Sequence, residues 1–410
     1  MRNSFELVTA EIFCEVMGIA QRNLDSYLRK TRLNSVEYQR SSSFCISDLQ
    51  GLAPFQEMLS SAWTYELGIK PSRAYCSLEV FAGAGGMALG LERAGFEHLY
   101  LNDMDVHACE TLSVNRPNWC VEQGDIREID FKRFNQKVDL VAGGFPCQSF
   151  SYAGKEMGFN DVRGTLFFEF ARVLDEVRPR IFIAENVKGL LTHDEGKTLD
   201  VIKNVVDELG YELIECNLYE LKFYKVPQKR ERLILVGVRK DLGYKGSFIR
   251  PSKYHRLTTL RDALYAGELF SCDVPGSRGV EYADAKKKVM ALIPPGGNWQ
   301  DLPADIAEAY MGGAYKAKGG KTGFARRLAL DLPSLTIMCT PAQKQTDRCH
   351  PIETRPLQLR ESARIQTFPD DWVFSGGMEA QYKQIGNAVP VNFSHILGKS
   401  LIRLLNELEI

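Results

Sequence analysis

The 410-residue chain predicts an α/β fold: a doubly wound sheet with a second, irregular domain and a helical N-terminal extension. Three observations carry this. From Cys76 onward, short apolar strands alternate with helices, the signature of a parallel sheet covered on both faces. A glycine-rich turn joins the first strand to the first helix. Near residue 243 the alternation stops, and order returns only at Arg355–Phe368.

Residues 1–70 read as helical, with Ser41-Ser42-Ser43 as a loop within them. Ser77–Phe81 then predicts a strand, Met87–Ala94 a helix and His98–Leu101 a strand. Val106–Asn115 reads as helix, Val138–Ala142 as strand, Leu166–Val177 as helix and Ile181–Ala184 as strand. The helix Val201–Leu209 and the strands Tyr211–Leu218 and Leu233–Val238 extend the sheet, and Asn392–Leu408 closes the chain as a helix. The expected division is an extension over 1–70, a domain of alternating strands and helices over 71–242, an irregular domain over 243–350 rich in Gly, Pro and Lys, and a C-terminal segment over 351–410 that returns to the second of these.

A hydrophobic content of 44% with 25% charged residues is that of a soluble globular protein. No run of eighteen apolar residues and no basic-then-apolar leader is found, so neither a membrane span nor a secretion signal is expected. The ten cysteines are scattered without a C-x-x-C pair, which points to free thiols in a reducing compartment and to no structural metal. The cytoplasm is the expected location and a monomer the expected state. A net charge of −1 argues against nucleic-acid binding, but its distribution does not. Between Asp241 and Ile352 sixteen Lys+Arg face eleven Asp+Glu, a balance of +5 that leaves −6 for the rest. That is either a phosphate-contacting module on an acidic body or ordinary fluctuation.

Phe81-Ala-Gly-Ala-Gly-Gly-Met-Ala88 follows a strand and opens a helix, and Asp103 lies twenty residues after Gly83. Glycines let a backbone approach a ligand closely, and an acid at that distance can hold ribose hydroxyls. The turn alone says nucleoside cofactor, with NAD and S-adenosylmethionine both open, or a tight turn with no ligand.

Gly143-Gly-Phe-Pro-Cys-Gln-Ser-Phe-Ser151 narrows this reading. It follows a strand, so it sits at the carboxyl edge of the sheet, and Cys147 lies in a polar, glycine-flanked loop that can present a thiol. Further along come Asp161-x-Arg-Gly-Thr-Leu166, Glu185-Asn-Val187, Gln228-Lys-Arg-Glu-Arg232, Arg355-Pro-Leu, Arg360-Glu361 and Gln384-Ile-Gly-Asn-Ala-Val-Pro390. In this order, over residues 76–400, the series resembles the DNA (cytosine-5) methyltransferase family of bacterial restriction–modification systems.

The resemblance implies a Rossmann-like, S-adenosylmethionine-dependent sheet and a nucleophile at Cys147. Cytosine C5 is a poor nucleophile. A thiolate added to C6 makes the ring an enamine whose C5 can attack a sulfonium methyl. Glu185 resembles the carboxyl group that donates a hydrogen bond to N3. Arg230 and Arg232 resemble the arginines near cytosine O2 and the thiolate, and Asn186 the residue that positions the Pro-Cys loop. The plainer account makes Glu185 a helix cap and the arginines surface charges. The base that removes the C5 proton is not identified, and bound water is an alternative.

For the cofactor, the resemblance implies that Phe81, Gly83, Ala84 and Gly86 line the turn. Asp103 then meets the ribose, Asp125 with Ile126 meets the adenine, and Pro146, Leu166, Asn387 and Val389 complete the pocket. Met104 stands where many relatives place an aromatic ring against adenine, and Asp103 is one carbon shorter than the commoner Glu.

Double-stranded DNA is the implied partner, with the target base flipped out of the helix. Ser149–Arg163 resembles the loop that closes over that base, and Gly154, Gly158 and Gly164 suit it to large backbone changes. Gln148, Ser149, Ser151 and Arg163 are expected at the DNA. So are Lys316, Lys318, Lys321, Arg326 and Arg327 of the irregular segment, which resembles a target-recognition domain; Lys286-Lys-Lys288 reads instead as a solvated helix face. Residues 10–28 have helix-turn-helix spacing around Gly18, either for binding promoter DNA or as a helical pair packed on the catalytic domain. Two readings compete with the main one. One is tRNA cytosine-5 methylation, whose Cys-Phe-Thr element is missing here. The other is a DNA-binding regulator acting through the extension. Oxidoreduction would leave the Pro-Cys segment unexplained. Amino-group methylation needs a (D/N/S)-P-P-(Y/F/W) element, which Ile293-Pro-Pro-Gly296 is not.

Overall fold

The computed structural model describes residues 7–38, 41–146, 166–316, 323–343 and 347–409. Its first strands, β1 (Leu7–Thr9), β2 (Val36–Tyr38) and β3 (Ser41–Cys45), form a small antiparallel sheet in the order β1-β3-β2. The serine run expected as a loop is therefore strand. Ser43 pairs with Thr9 on one side and Val36 on the other, and Phe44 beside it is fully buried. Long-range pairing overrides the turn preference of serine here.

The main sheet is built from β4 (Tyr75–Val80), β5 (Phe96–Asp103), β6 (Val121–Gln123), β7 (Leu140–Gly143), β8 (Ile181–Val187) and β9 (Tyr211–Glu220), with β10 (Gln228–Lys229) leading into β11 (Glu231–Arg239). Its order is β6-β5-β4-β7-β8-β11-β9. Every pairing is parallel except those of β11, which runs antiparallel to β8 and β9. The strands after residue 210 thus extend the sheet with one reversed member. Between β4 and β7 the direction of winding changes, and open α/β sheets bind ligands outside the carboxyl ends at such a point.

Period two along the central strands divides the core. Ile181 and Ile183 of β8 face a cluster with Met87, Leu91, Phe393 and Leu401, on the side of helices Gly86–Ala94 and Val391–Glu407. Phe182 and Ala184 face Phe167, Phe170, Val173 and Ile202, from helices Leu166–Val177 and Lys197–Glu208. The C-terminal helix lies directly on the first helix of the sheet. A Cβ on Gly90 would stand 2.3 Å from Ser394 Cβ, so the two backbones meet where only glycine fits.

The extension shares this core. Helix Ala10–Met17 is capped by Thr9 and ends at Gly18 in the left-handed conformation. Its Phe13 is fully buried in the cluster that holds Phe223, Tyr224 and Phe393. Glu15 is ion-paired with Lys222 (3.0 Å) and with Lys229, and those lysines hold its carboxyl below the ordinary glutamate range against the cost of burial. The next helix, Leu24–Thr31, buries only Leu24 and exposes Arg29 and Lys30.

Between residues 243 and 350 the described residues form short helices, with one two-residue strand, β12 (Ser334–Leu335), parallel to β10. No helix among the described residues is long and apolar enough to cross a membrane.

Candidate active site

The glycine turn is shaped by its backbone. Phe81 takes φ +58°, a conformation that side chains other than glycine rarely adopt, and Gly83 and Gly85 continue it at +53° and +84°. A Cβ on Gly86 would lie 2.2 Å from the Val389 carbonyl oxygen, so glycine lets the turn meet the segment Asn387–Val389. At the end of β5, Asp103 accepts hydrogen bonds from Gly83 N and Asp105 N, each at 2.8 Å. Burial pushes its carboxyl up, against the pull of those two bonds. Asp125 caps the short turn Ile126–Glu128 and pairs with Arg127 at 2.5 Å. Met104 is 68% exposed, and that apolar surface at the cavity rim is what a flat base could cover.

On the other side of the cleft, β8 carries Glu185 and Asn186, both buried. The antiparallel register sets Arg232 of β11 opposite Val187, and its guanidinium pairs with the Glu185 carboxylate. Asn186 donates from Nδ2 to the Phe145 carbonyl at 2.9 Å and accepts from Val187 N. It thereby ties down the chain two residues before Cys147. Arg230 is 3% exposed and donates to the Gly386 carbonyl at 3.0 Å, while its Nε has no partner among the described residues. Burial, and then Arg232 beside it, makes the cation costlier there. A guanidinium keeps its proton nonetheless, so the cleft holds a cation that an anion would satisfy.

These residues surround one cavity of about 1040 Å³. Phe81, Gly83, Ala84, Gly86, Asp103, Met104, Asp125, Ile126, Pro146, Leu166, Asn387 and Val389 line it, together with Glu185, Asn186, Arg230 and Arg232. Every described residue expected at the cofactor or at the chemistry meets in this one space. The sequence reading missed Glu79 and Cys339 in the same wall. Cys339 donates from Sγ to Asn387 Oδ1 at 3.1 Å, and burial pushes its thiol up. Neither residue sits in a motif that would have flagged it.

Cys147, Gln148, Ser149, Ser151, Arg163, Lys318 and Lys321 lie outside the described residues. Of the basic residues expected at DNA, Lys316 is exposed and Arg326 half-buried. Arg327 is corrected: it is buried and donates to the carbonyls of Pro351, Met290, Ile293 and Ile352, so its guanidinium holds the domain together and is not free for phosphate or base. Lys286 is also not simply solvated. It is bonded to the buried Asp347 at 2.6 Å, whereas Lys287 and Lys288 are exposed.

Comparison with known proteins shows the family. Residues 75–403 match the family model described as C-5 cytosine-specific DNA methylase. The Type II methyltransferase M.PspPI of Psychrobacter sp. (strain TA137) is 51% identical over 400 residues, 97% of this chain and 96% of that protein. The Type II methyltransferase M.Eco47II of Escherichia coli is 56% identical over 396 residues, 96% and 95% of the two chains. Among solved structures, a prophage-encoded E. coli protein assigned as a DNA modification methyltransferase superposes with a TM-score of 0.58 at 25% identity, covering 81% of this chain and all of that one. With the doubly wound sheet, the glycine turn and the Glu185–Arg232 wall in one cavity, the chain belongs to the C-5 cytosine-specific DNA methylases and is a DNA (cytosine-5-)-methyltransferase.

Proposed function

We propose that this enzyme methylates C5 of cytosine within a short double-stranded DNA sequence, as the modification half of a restriction–modification system, through a covalent bond between Cys147 and C6 of a flipped-out base. The observation that carries this reading is the shared cavity, in which an apolar rim and ribose-directed acid stand opposite a buried carboxylate and two arginines. S-adenosylmethionine fits the near side. Asp103 keeps lone pairs for ribose hydroxyls, Met104 offers its exposed face to adenine, and the Gly83 position leaves open space. When bound, that cofactor supplies an electrophilic methyl group on sulfonium.

The chain's own residues do the rest. Arg230 and Arg232 favour the thiolate form of Cys147. The thiolate adds to C6 and the electron pair moves toward N3, for which the Glu185 carboxyl group is the hydrogen-bond partner. C5 then carries the density needed to take the methyl group. A base, for which bound water is one choice, takes the C5 proton, and the electron pair of that C–H bond re-forms the C5–C6 double bond as the Cys147 thiolate is expelled. Asn186, through the Phe145 carbonyl, sets the start of the loop that presents the thiol. The domain over 243–350 reads the target sequence, with Lys316 and Arg326 among its candidate contacts. Bisulfite sequencing of plasmid DNA from expressing cells tests the whole reading. A protected cytosine in one recurring short sequence is expected, and uniform conversion overturns it.

Glu185→Gln keeps shape and removes the acid. It is expected to lower single-turnover methyl transfer by roughly 100-fold or more, with DNA binding retained. Wild-type turnover would remove Glu185 from the mechanism.

A second reading concerns residues 10–28. Glu15 and Phe13 support a helical pair docked on the catalytic body, yet the helix Leu24–Thr31 presents exposed Arg29 and Lys30 beside exposed Arg22 and Arg32. That outward basic face favours promoter DNA as an additional ligand. Arg29→Glu with Lys30→Glu is expected to weaken promoter binding in a gel shift by roughly tenfold. Unchanged retardation removes the regulatory reading and leaves the methylation reading intact.

A further inference from the structure

Two arginines of the irregular domain stand side by side, and among the described residues neither is ion-paired. Arg327 and Cys349 form a parallel bridge, and Cys349 N donates to the Arg326 carbonyl at 2.9 Å. Both bridge residues are buried, so alternation along the two extended segments turns Arg326 and Arg348, one position earlier on each, to the opposite face. There both side chains are half-buried, and the buried Nε of Arg326 has no hydrogen-bond partner among the described residues. The acids whose charge reaches them are occupied. Asp347 is taken by Lys286 at 2.6 Å and by Tyr310 at 3.3 Å, and Asp301 accepts from Asn298 N at 2.8 Å. Burial makes both cations costlier, and for Arg348, pulled down to about 10, the neighbouring Arg326 adds to the cost. A guanidinium keeps its proton. Two half-desolvated like charges therefore mark a site that an acceptor-rich ligand completes.

The pair also hangs from the wall of the active-site cavity. Arg348 donates from Nε to the Thr336 carbonyl at 3.3 Å and from Nη1 to the Asp347 carbonyl at 2.8 Å, which fixes the plane of its guanidinium. Thr336 lines the cavity, and its hydroxyl donates to the Lys229 carbonyl at 2.6 Å, one residue before Arg230. We propose that Arg326 and Arg348 set the target sequence by donating to the O6 and N7 acceptors of guanine in the base pairs beside the flipped cytosine. The inference rests on the methylation reading above and names the residues and the base that give it specificity. Guanine is favoured over phosphate by geometry. Its major-groove edge offers two adjacent acceptors, which match the planar fork of a guanidinium. A phosphate needs only a point charge, and exposed Lys316 supplies one without desolvation. Half-buried, oriented donors regain their lost hydration only from acceptors that are equally well placed.

The test is equilibrium binding, at fixed salt, of duplexes carrying the sequence that bisulfite sequencing identifies. Each guanine is replaced in turn by 7-deazaguanine, which lacks only the N7 acceptor. Wild type is compared with Arg326→Lys and Arg348→Lys, which keep the charge and lose the fork. On the unmodified duplex each variant is expected to bind on the order of tenfold to a hundredfold more weakly. At one or more guanines, 7-deazaguanine should weaken the wild type by roughly tenfold and cost the variant nothing further. Affinity for S-adenosylhomocysteine should match wild type, which shows that the fold is intact. Variants that bind the unmodified duplex as wild type does overturn the proposal. So do variants weakened alike on every duplex with each 7-deazaguanine penalty retained, the pattern of phosphate contacts. If Arg348→Lys fails to fold, Arg326→Lys, whose Nε has no partner to lose among the described residues, carries the same comparison. Absence of any methylated sequence would overturn the methylation reading and this inference with it.

Discussion

Cys147→Ala is expected to lower methyl transfer by roughly 10⁴-fold or more, with affinity for the cofactor close to wild type. The reason is chemical. Without a nucleophile at C6, the C5 of cytosine has too little electron density to attack a sulfonium methyl. Cys339 also lines the cleft, but its thiol is pushed up by burial and bonded to Asn387, so it is a poor substitute. A duplex carrying 5-fluorocytosine gives the sharper measurement. Fluorine at C5 cannot leave as a proton does, so wild type and DNA should remain covalently joined on a denaturing gel. The alanine protein should show no such band. A trapped complex with Cys147→Ala would mean that a different residue is the nucleophile.

The largest effect on stability is expected at Arg364. This side chain is fully buried, and its guanidinium makes two bonds to the Asp370 carboxylate at 2.8 and 2.5 Å. It also donates to the carbonyls of Ala263, Cys272 and Asp273, which fastens the helix Leu359–Ile365 to the segment that opens the irregular domain. Arg364→Ala removes the cation, leaves Asp370 without its partner and strands several acceptors in the interior. The cost should be about 3–5 kcal/mol of unfolding free energy, read as a lower midpoint in chemical denaturation. A loss below about 1 kcal/mol would show that this network contributes no more than a surface pair.

Several site residues were legible because short contiguous patterns dictate them. A strand followed by glycines needs no distant partner to declare a turn for a ligand, and Asp103 follows from the length of one strand–helix–strand unit. Glu185, Asn186 and the arginines were legible only through their place in a series of motifs. Their roles depend on β11 running antiparallel beside β8, which brings Arg232 onto Glu185. Arg327 shows the opposite case. In sequence it is one of a basic pair beside Arg326, but in the fold it serves four carbonyls.

The chain's linear order alone determined the sheet's alternation and the glycine turn, because periodicity and turn residues act over a few positions, and the class of chemistry was legible through the resemblance that the ordered series of motifs carries. Only the tertiary structure decided that Ser41–Cys45 is a strand, that the extension is locked to the core through Phe13 and Glu15, and that Glu79 is an unpaired acid in the cavity wall. Such pairings join Ser43 to Thr9 and Glu15 to Lys222 across long stretches of chain, and no local pattern carries that information.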